Sequence, residues 1–307
     1  MGFKNRDILS IKDFSKEELL QIIATAAKIE QQGINSWLNL AKGSIMASAF
    51  FEPSTRTRLS FEASMQRLGG SVIGFSEQDN TSISKGETMQ DTIKILDGYC
   101  DVVIMRHPES GSAAKAAEVA SHPVINAGDG SNEHPTQTFV DLYTIMKVKK
   151  SLDNINIGFL GDLKYGRTVH SLAYALSHFK NKMYFISNES LRMPENNLKE
   201  LESKHADFTE VNDLSKVCKK LDILYVTRIQ KERFLNIEDY KKVNGSNKLN
   251  NDILKLSKPE LKILHPLPRV DEIDASLDKE KQSIYFEQAH NGIPVRMALL
   301  GLILGKL

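Results

Sequence analysis

Only two cysteines, Cys100 and Cys218, occur in 307 residues. That is too few for a disulfide framework or a four-ligand zinc site, and both read as small hydrophobes. The eight histidines form no His-Glu-x-x-His and no short ligand pair, so no metal is indicated. Charge of one sign is also lacking, since 40 Lys+Arg face 39 Asp+Glu for a net charge of +1. Without a bulk basic field, neither nucleic acid nor an anionic membrane is an expected partner. Any anion must then be caught by a local cluster. Long apolar runs are missing too: the most apolar, Met297 to Gly305, is far too short to span a bilayer. Met1 to Ser10 carries three charges and no apolar stretch, unlike a signal peptide, and Arg6 stands where a myristoylation motif wants Ser or Thr. A cytoplasmic location is the default expectation. No repeat or low-complexity tract appears.

What is present is ordinary for a globular chain, with 26% charged and 41% hydrophobic residues over a length that suits two domains. Short apolar runs alternate with helical patterns, the rhythm of an α/β protein with parallel strands. Strands are expected at Ser44–Phe51, Ser71–Phe75, Asp101–Met105 and Pro123–Ala127, then at Ile155–Leu160, Met183–Ser187, Asp222–Thr227 and Leu261–Leu264. Leu59 to Leu68 reads as a helix with Phe61, Met65 and Leu68 on one face, ended by Gly69 and Gly70. His134 to Lys150 reads as one long helix with Pro135 in its first turn. The expected architecture is two doubly wound domains with mainly parallel sheets, residues 1–150 and 151–290, joined by that helix. A final helix, roughly Val295–Leu307 within 291–307, is apolar at Leu299, Leu302 and Ile303 and should pack back on the N-terminal domain. The polar stretch Gln230 to Asp252 has no clear period and reads as a long loop, either a closing lid or a surface insertion.

Four segments can carry chemistry. In Phe50-Phe51-Glu52-Pro53-Ser54-Thr55-Arg56-Thr57-Arg58 a strand runs into a turn, and hydroxyls and arginines open a helix. Free N–H groups and the helix dipole attract phosphate there, and hydroxyls with a guanidinium fork complete a cradle. An ordinary N-cap needs one hydroxyl, not three beside an arginine. Arg106-His107-Pro108 follows the third strand, so Arg56 and Arg106 both fall at carboxyl ends of strands, where doubly wound sheets gather ligands. Gly128 to Gln137 joins a strand to a helix start, with His134 able to donate to a carbonyl oxygen and Gln137 one turn on. Gly161-Asp162-Leu163-Lys164-Tyr165-Gly166-Arg167-Thr168 nearly matches a nucleotide phosphate loop, but Arg167 replaces the required lysine. It reads as an anion site for a carboxylate, with a nucleotide-dependent phosphotransferase as the alternative.

Taken in order, these segments resemble the catalytic chains of the aspartate carbamoyltransferase family over nearly the whole length. The resemblance is carried by residues 51–58, 105–108, 128–137 and 161–171, and also by Ser-Lys-Gly-Glu-Thr at 84–88, Thr-Arg-Ile-Gln-Lys-Glu-Arg at 227–233 and His-Pro-Leu-Pro-Arg-Val-Asp-Glu-Ile at 265–273. It implies carbamoyl transfer from carbamoyl phosphate to L-aspartate, an early step of de novo pyrimidine biosynthesis, with no cofactor. Ser54, Thr55, Arg56, Thr57 and Arg106 would hold phosphate; Thr57, Arg106 and His134 would face the carbonyl oxygen. Gln137 and the carbonyls around Pro266, Leu267 and Pro268 would hold the carbamoyl NH2, a task that a cis bond at Leu267–Pro268 would suit. Arg167, Arg228 and Gln230 would bind the carboxylates of aspartate, and Glu52 would join an ion-pair network. Lys85 would act in catalysis and beside aspartate from a loop, Glu77 to Glu87, that reaches into a neighbouring subunit of a homotrimer, so that sites are shared between domains and subunits. That loop is one residue shorter than in well-known bacterial members, leaving open whether Ser82 or Ser84 supplies its hydroxyl. A zinc-containing regulatory chain is a possible partner. Ornithine carbamoyltransferases share the Ser-Thr-Arg-Thr motif but carry a cysteine where this chain has Pro266, and a cationic acceptor would call for acids rather than Arg167 and Arg228. A non-catalytic binding protein of the same fold is the alternative from another class.

Overall fold

The computed structural model describes residues 2–76, 82–231, 234, 236, 238, 240 and 248–307, and for residues 82 and 83 the backbone only. Two compact units emerge: residues 1–143 with 291–307, and residues 144–290. The division falls inside the long helix, between Tyr143 and Thr144, rather than at its end near residue 150.

Unit 1 holds four parallel strands, β1 (Ile45–Phe50), β2 (Ser71–Ser76), β3 (Val102–His107) and β4 (Val124–Asp129), in the order β2-β1-β3-β4. Every step between strands passes through a helix: α2 (Thr55–Arg67), α3 (Met89–Asp97) and α4 (Ser112–Ala117). Before the sheet comes α1 (Lys16–Gln32), which sequence reading did not single out. Its capping box pairs Ser15 with Glu18, and Leu19, Ile22, Ile23, Ala26 and Ile29 give it one buried stripe until Gly33, at φ +87, stops it. α5 (Pro135–Lys149) follows β4. The last helix of the chain, Gly292–Ile303, begins earlier than its apolar run suggested and packs on α1 and α2. Nearly all its residues are buried, which explains why it is apolar all round rather than striped.

In unit 2 the strands are β5 (Asn156–Leu160), β6 (Lys182–Ile186), β7 (Asp207–Val211), β8 (Ile223–Val226) and β9 (Lys262–Leu264), all parallel in the order β7-β6-β5-β8-β9. Among the helices that connect them are α6 (Arg167–Leu176), α7 (Glu195–Ser203) and α8 (Asn251–Leu256); α9 (Tyr285–His290) follows β9. The chain is therefore α/β with two doubly wound parallel sheets. β7 was not expected, because as an edge strand it pairs only with β6 and leaves Asp207, Thr209 and Glu210 exposed to solvent. The expected loop from Gln230 to Asp252 needs correction at its end. Asn250 caps α8 through bonds from the backbone N–H groups of Asp252 and Ile253, and Leu249 is fully buried against Ile273. Residues 232, 233, 235, 237, 239 and 241–247 of that stretch lie outside the described residues, as do 77–81 of the loop preceding Lys85. Among the described residues no helix is long and apolar enough to cross a membrane.

The same device registers each sheet. Asp101 accepts the backbone N–H of Ile45 at 2.7 Å in unit 1, and Asp222 accepts that of Asn156 at 2.9 Å in unit 2. In both, an acid just before the strand across the switch point, β3 or β8, satisfies an N–H at the start of the first strand, which the ladder alone would leave open.

Candidate active site

The switch point of unit 1 lies between β1 and β3, where helical crossovers depart in opposite directions and a crevice opens at the carboxyl ends. β3 runs further than its apolar stretch suggested: Arg106 and His107 belong to the strand, Arg106 is in register with Phe50, and its carbonyl accepts the Phe51 N–H at 2.8 Å. Arg106 Nε donates to Glu52 Oε1 at 2.8 Å. Burial lowers the pKa of Arg106, while Glu52 opposes that shift and steadies the cation.

From the end of β1 the chain turns into α2. Ser54 occupies the N-cap position but makes no side-chain cap bond, so its hydroxyl is not used for capping. The first N–H groups of an α-helix have no intrahelical acceptor, which leaves those of Thr55, Arg56 and Thr57 available at this end. Thr57 is buried, whereas Thr55 and Arg56 are exposed. The two arginines of the motif differ in environment. Arg58 lies 3.9 Å from Glu62 on the next turn, while among the described residues no carboxylate pairs with Arg56. Partial withdrawal from water lowers the Arg56 pKa, although one side stays exposed, and the charge of Arg106 lowers it further. Two guanidiniums that repel each other beside open N–H groups and hydroxyls make an arrangement suited to an anion.

Beyond β4 the turn 128–134 is held by Asp129, whose carboxylate accepts from Asn126, Asn132 and the N–H groups of Gly111 and Glu133 at 2.8–3.2 Å. Gly130, at φ +53, must be glycine, because a Cβ there would come within 2.8 Å of the Ser110 nitrogen and 2.9 Å of the Pro108 oxygen. The turn delivers His134, only 5% exposed, to the start of α5. The Gln137 N–H donates to His134 Nδ1 at 3.3 Å, so that nitrogen accepts and the neutral ring carries its proton on Nε2 as a donor. Gln137 Nε2 in turn donates to Asp141 Oδ1 at 2.8 Å. Asp141 escaped sequence reading, although an acid one turn beyond Gln137 in an otherwise apolar stretch was the signal for it. Lys85 ends a short 3-10 turn, Ser82–Lys85, and is exposed with Ser84.

The switch point of unit 2 lies between β5 and β8. Gly161, at φ +120, lets the chain pass β8, since a Cβ would sit 2.2 Å from the Thr227 carbonyl oxygen. The turn 161–167 closes on itself. Leu163 N–H donates to Leu191 O, Tyr165 N–H to Asp162 Oδ1 and Arg167 N–H to Tyr165 O. A phosphate loop needs those N–H groups free, so this turn is no nucleotide cradle. Asp162 is fully buried; desolvation raises its pKa, against the backbone bonds from Tyr165, Gln230 and Lys164. Gln230 Nε2 donates to Tyr165 O at 2.9 Å, which ties it to the turn. Arg167 opens α6 and Arg228 follows β8, both half-buried. This switch point therefore also carries two arginines, one on each side.

At the end of β9, His265 is 2% exposed. Its Nδ1 accepts the Leu267 N–H at 2.8 Å, so Nε2 bears the proton and donates to Glu272 Oε1 at 2.6 Å. Glu272 Oε2 also accepts the N–H groups of Val270 and Asp271. This clamp encloses Leu267 and Pro268, whose bond is cis as expected; Leu267 is half-buried and Pro268 exposed. Cys100 and Cys218 are buried and unpaired, and burial pushes the Cys100 thiol up to about 11, which keeps it protonated.

Residues 6–147 match the family described as aspartate/ornithine carbamoyltransferase, carbamoyl-P binding domain, and residues 153–303 match its Asp/Orn binding domain. The aspartate carbamoyltransferase catalytic subunit of Thermococcus kodakarensis is 55% identical over 308 residues, covering 100% of this chain and 99% of that one. Among solved structures, the catalytic subunit of M. jannaschii aspartate transcarbamoylase superposes with a TM-score of 0.91 at 49% identity, over 98% of each chain. Trypanosoma cruzi aspartate transcarbamoylase in complex with N-(phosphonacetyl)-L-aspartic acid gives 0.93 at 38% identity, over 98% of this chain and 97% of that one.

Proposed function

The chain belongs to the aspartate/ornithine carbamoyltransferase family, and from that premise we propose that it transfers the carbamoyl group of carbamoyl phosphate to L-aspartate, giving N-carbamoyl-L-aspartate and phosphate, an early step of de novo pyrimidine biosynthesis. The observation that carries this reading is the pair of arginines at the switch point of each sheet, Arg56 with Arg106 and Arg167 with Arg228. One pair stands beside the open N-terminus of α2 and suits a phosphate. The other stands beside a closed turn, where side chains alone face the ligand, and suits carboxylates.

In unit 1, Ser54, Thr55, Arg56, Thr57 and Arg106 bind the phosphate group. Thr57, Arg106 and Nε2–H of His134 donate to the carbonyl oxygen, where negative charge grows as the amine attacks. Gln137 and the carbonyls at Leu267 and Pro268 accept from the carbamoyl NH2. In unit 2, Arg167, Arg228 and Gln230 hold the acceptor. The aspartate nitrogen attacks the carbonyl carbon, the bond to the phosphate oxygen breaks, and the departing phosphate takes the proton. No oxidation state changes, so positioning and oxyanion stabilisation supply the acceleration and no cofactor is called for. The reading places the enzyme in the cytoplasm. Formation of carbamoyl aspartate by the purified chain tests it: turnover with aspartate and none with ornithine is the expected result, and the reverse preference would overturn it.

The assembly we propose is a homotrimer in which Lys85 enters the neighbouring subunit's site, covers the phosphate and borders aspartate; a zinc-containing regulatory chain is a further candidate partner. Arg56→Ala and Lys85→Ala, each inactive alone, should complement when dissociated and reassembled in equal amounts. Three-quarters of random trimers are mixed and each repairs one site in three, so about a quarter of wild-type sites return. No recovery after verified exchange would mean that Lys85 serves its own chain. Native mass measurement tests the regulatory partner.

A further inference from the structure

Two buried charges of unit 1 have no part in the scheme above, Asp141 on α5 and Arg296 on the C-terminal helix Gly292–Ile303. Asp141 is 0% exposed and accepts Gln137 Nε2 at 2.8 Å. A carboxylate can only accept, so this bond fixes which end of the Gln137 amide faces Asp141 and turns Oε1 the other way. Arg296 is 4% exposed, with its guanidinium carbon 5.0 Å from the ring centroid of Phe61 on α2. Its Nη1 fills the space beside Gly292, where a Cβ would meet Nη1 at 2.3 Å and Val140, the neighbour of Asp141, at 4.0 Å. Burial is the main influence on Arg296, bringing its pKa down to about 10, and the charge of Asp141 works against that shift. Among the described residues its buried Nε has no hydrogen-bond partner. Buried charge pairs are often no more stabilising than apolar side chains of the same size, so stability alone does not account for this one.

We propose that Asp141, with Arg296 as its buried counter-charge, positions Gln137 so that Oε1 rather than Nε2 meets the carbamoyl NH2. A flipped amide would set donor against donor. Arg296 also packs on Phe61 of α2, which carries the phosphate residues, so one cation from the returning helix supports α2 by contact and faces the charge of Asp141 on α5. The inference rests on the role of Gln137 given above.

Four variants test it: Gln137→Ala, Asp141→Leu, Asp141→Leu with Arg296→Met, and Gln137→Ala with Asp141→Leu. For each, kcat/KM for carbamoyl phosphate, KM for aspartate and Tm are measured. Gln137→Ala and Asp141→Leu should each lower kcat/KM roughly tenfold or more, as for loss of a hydrogen bond to substrate, with the aspartate KM little moved. The Gln137/Asp141 double variant should be no worse than Gln137→Ala alone, because the group being positioned is gone. The Asp141/Arg296 double variant should regain the Tm lost in Asp141→Leu, since no lone buried charge remains, without regaining kcat/KM. If Asp141→Leu does not fold, that double variant still separates positioning from mere support of the fold. Recovery of activity together with Tm would show a structural role only, and multiplicative losses in the Gln137/Asp141 pair would show that Asp141 acts by another route. Wild-type activity in Gln137→Ala is a separate result that removes the role of Gln137 itself, and this inference with it.

Discussion

In unit 1 the turn after the first strand leaves its polar groups open, with the Ser54 hydroxyl making no cap bond and Arg56 facing no acid among the described residues. In unit 2 the corresponding turn closes its own groups, through the N–H groups of Leu163, Tyr165 and Arg167 and the amide of Gln230. The difference supports the proposal that the two turns serve two different anions. A phosphate, with charge on several oxygens, draws on free N–H groups and hydroxyls at a helix start. A carboxylate is served by side-chain donors, chiefly guanidinium forks, and a closed turn holds those forks without offering a rival phosphate cradle.

The sharpest way to break this contrast is to remove one arginine from each side. Arg106→Ala should have the largest effect, because Arg106 is proposed to serve both phosphate and the developing oxyanion. A loss of about 3–4 kcal/mol, or roughly 10²–10³ in kcat, is expected in a folded protein, read by steady-state rates and circular dichroism. Near-normal turnover would take Arg106 out of the reaction. Arg228→Ala should act on one substrate only, raising the aspartate KM roughly tenfold to a hundredfold, or about 1.5–3 kcal/mol, while the carbamoyl phosphate KM holds. Equal shifts for both substrates would erase the division of labour between the units.

A smaller effect concerns two acids that neighbour the site histidines. Desolvation raises the Glu133 pKa, despite its bonds from Ser10 and the Ile11 N–H. For Glu272, desolvation also acts upward, but the hydrogen bonds from His265 and the Val270 N–H outweigh it and the pKa is lowered from its ordinary value. A lowered carboxyl pKa stabilises the fold above the unfolded value, and that stability is lost as pH falls through the folded value. Glu272→Gln should thus cost about 1–3 kcal/mol at neutral pH, and its gap from wild type should narrow below about pH 4.5. Glu133→Gln should cost less at neutral pH, since a raised pKa means that folding penalises the charged form relative to the unfolded chain. Denaturant titrations across pH 3–7 separate the two patterns. A gap for Glu272→Gln that stays constant with pH would refute the assignment.

Much of this was legible in the sequence because strand ends carry the chemistry. Glu52–Arg58, Gly128–Gln137 and Gly161–Thr168 each join an apolar run to a helix start, and the structure keeps them there. Less legible was anything decided by hydrogen bonds rather than by polarity. β3 continues through Arg106 because its ladder goes on after the apolar residues stop, and β7 pairs with β6 although its side chains are mostly exposed. α8 begins inside what reads as loop, because Asn250 caps it. The partners of Arg56 and Arg58 could not be told apart by order alone; only the turn of α2 gives Glu62 to Arg58.

The return of the C-terminal helix has a consequence for the order in which the molecule comes into being. Unit 1 is assembled from residues 1–143 and 291–307, so all of unit 2 is synthesised between its two parts. Leu299, Leu300 and Ile303, all fully buried, are translated only after the whole of unit 2. A nascent chain can therefore complete the aspartate-binding unit first, while the phosphate-binding unit waits for the final helix to seal its core. Ribosome-stalled chains of increasing length should gain protease protection in residues 144–290 before residues 1–143, and the opposite order would exclude this sequence of events. Until the second turn of that helix has arrived, Arg296 is absent and Asp141, the proposed positioner of Gln137, lacks its buried counter-charge.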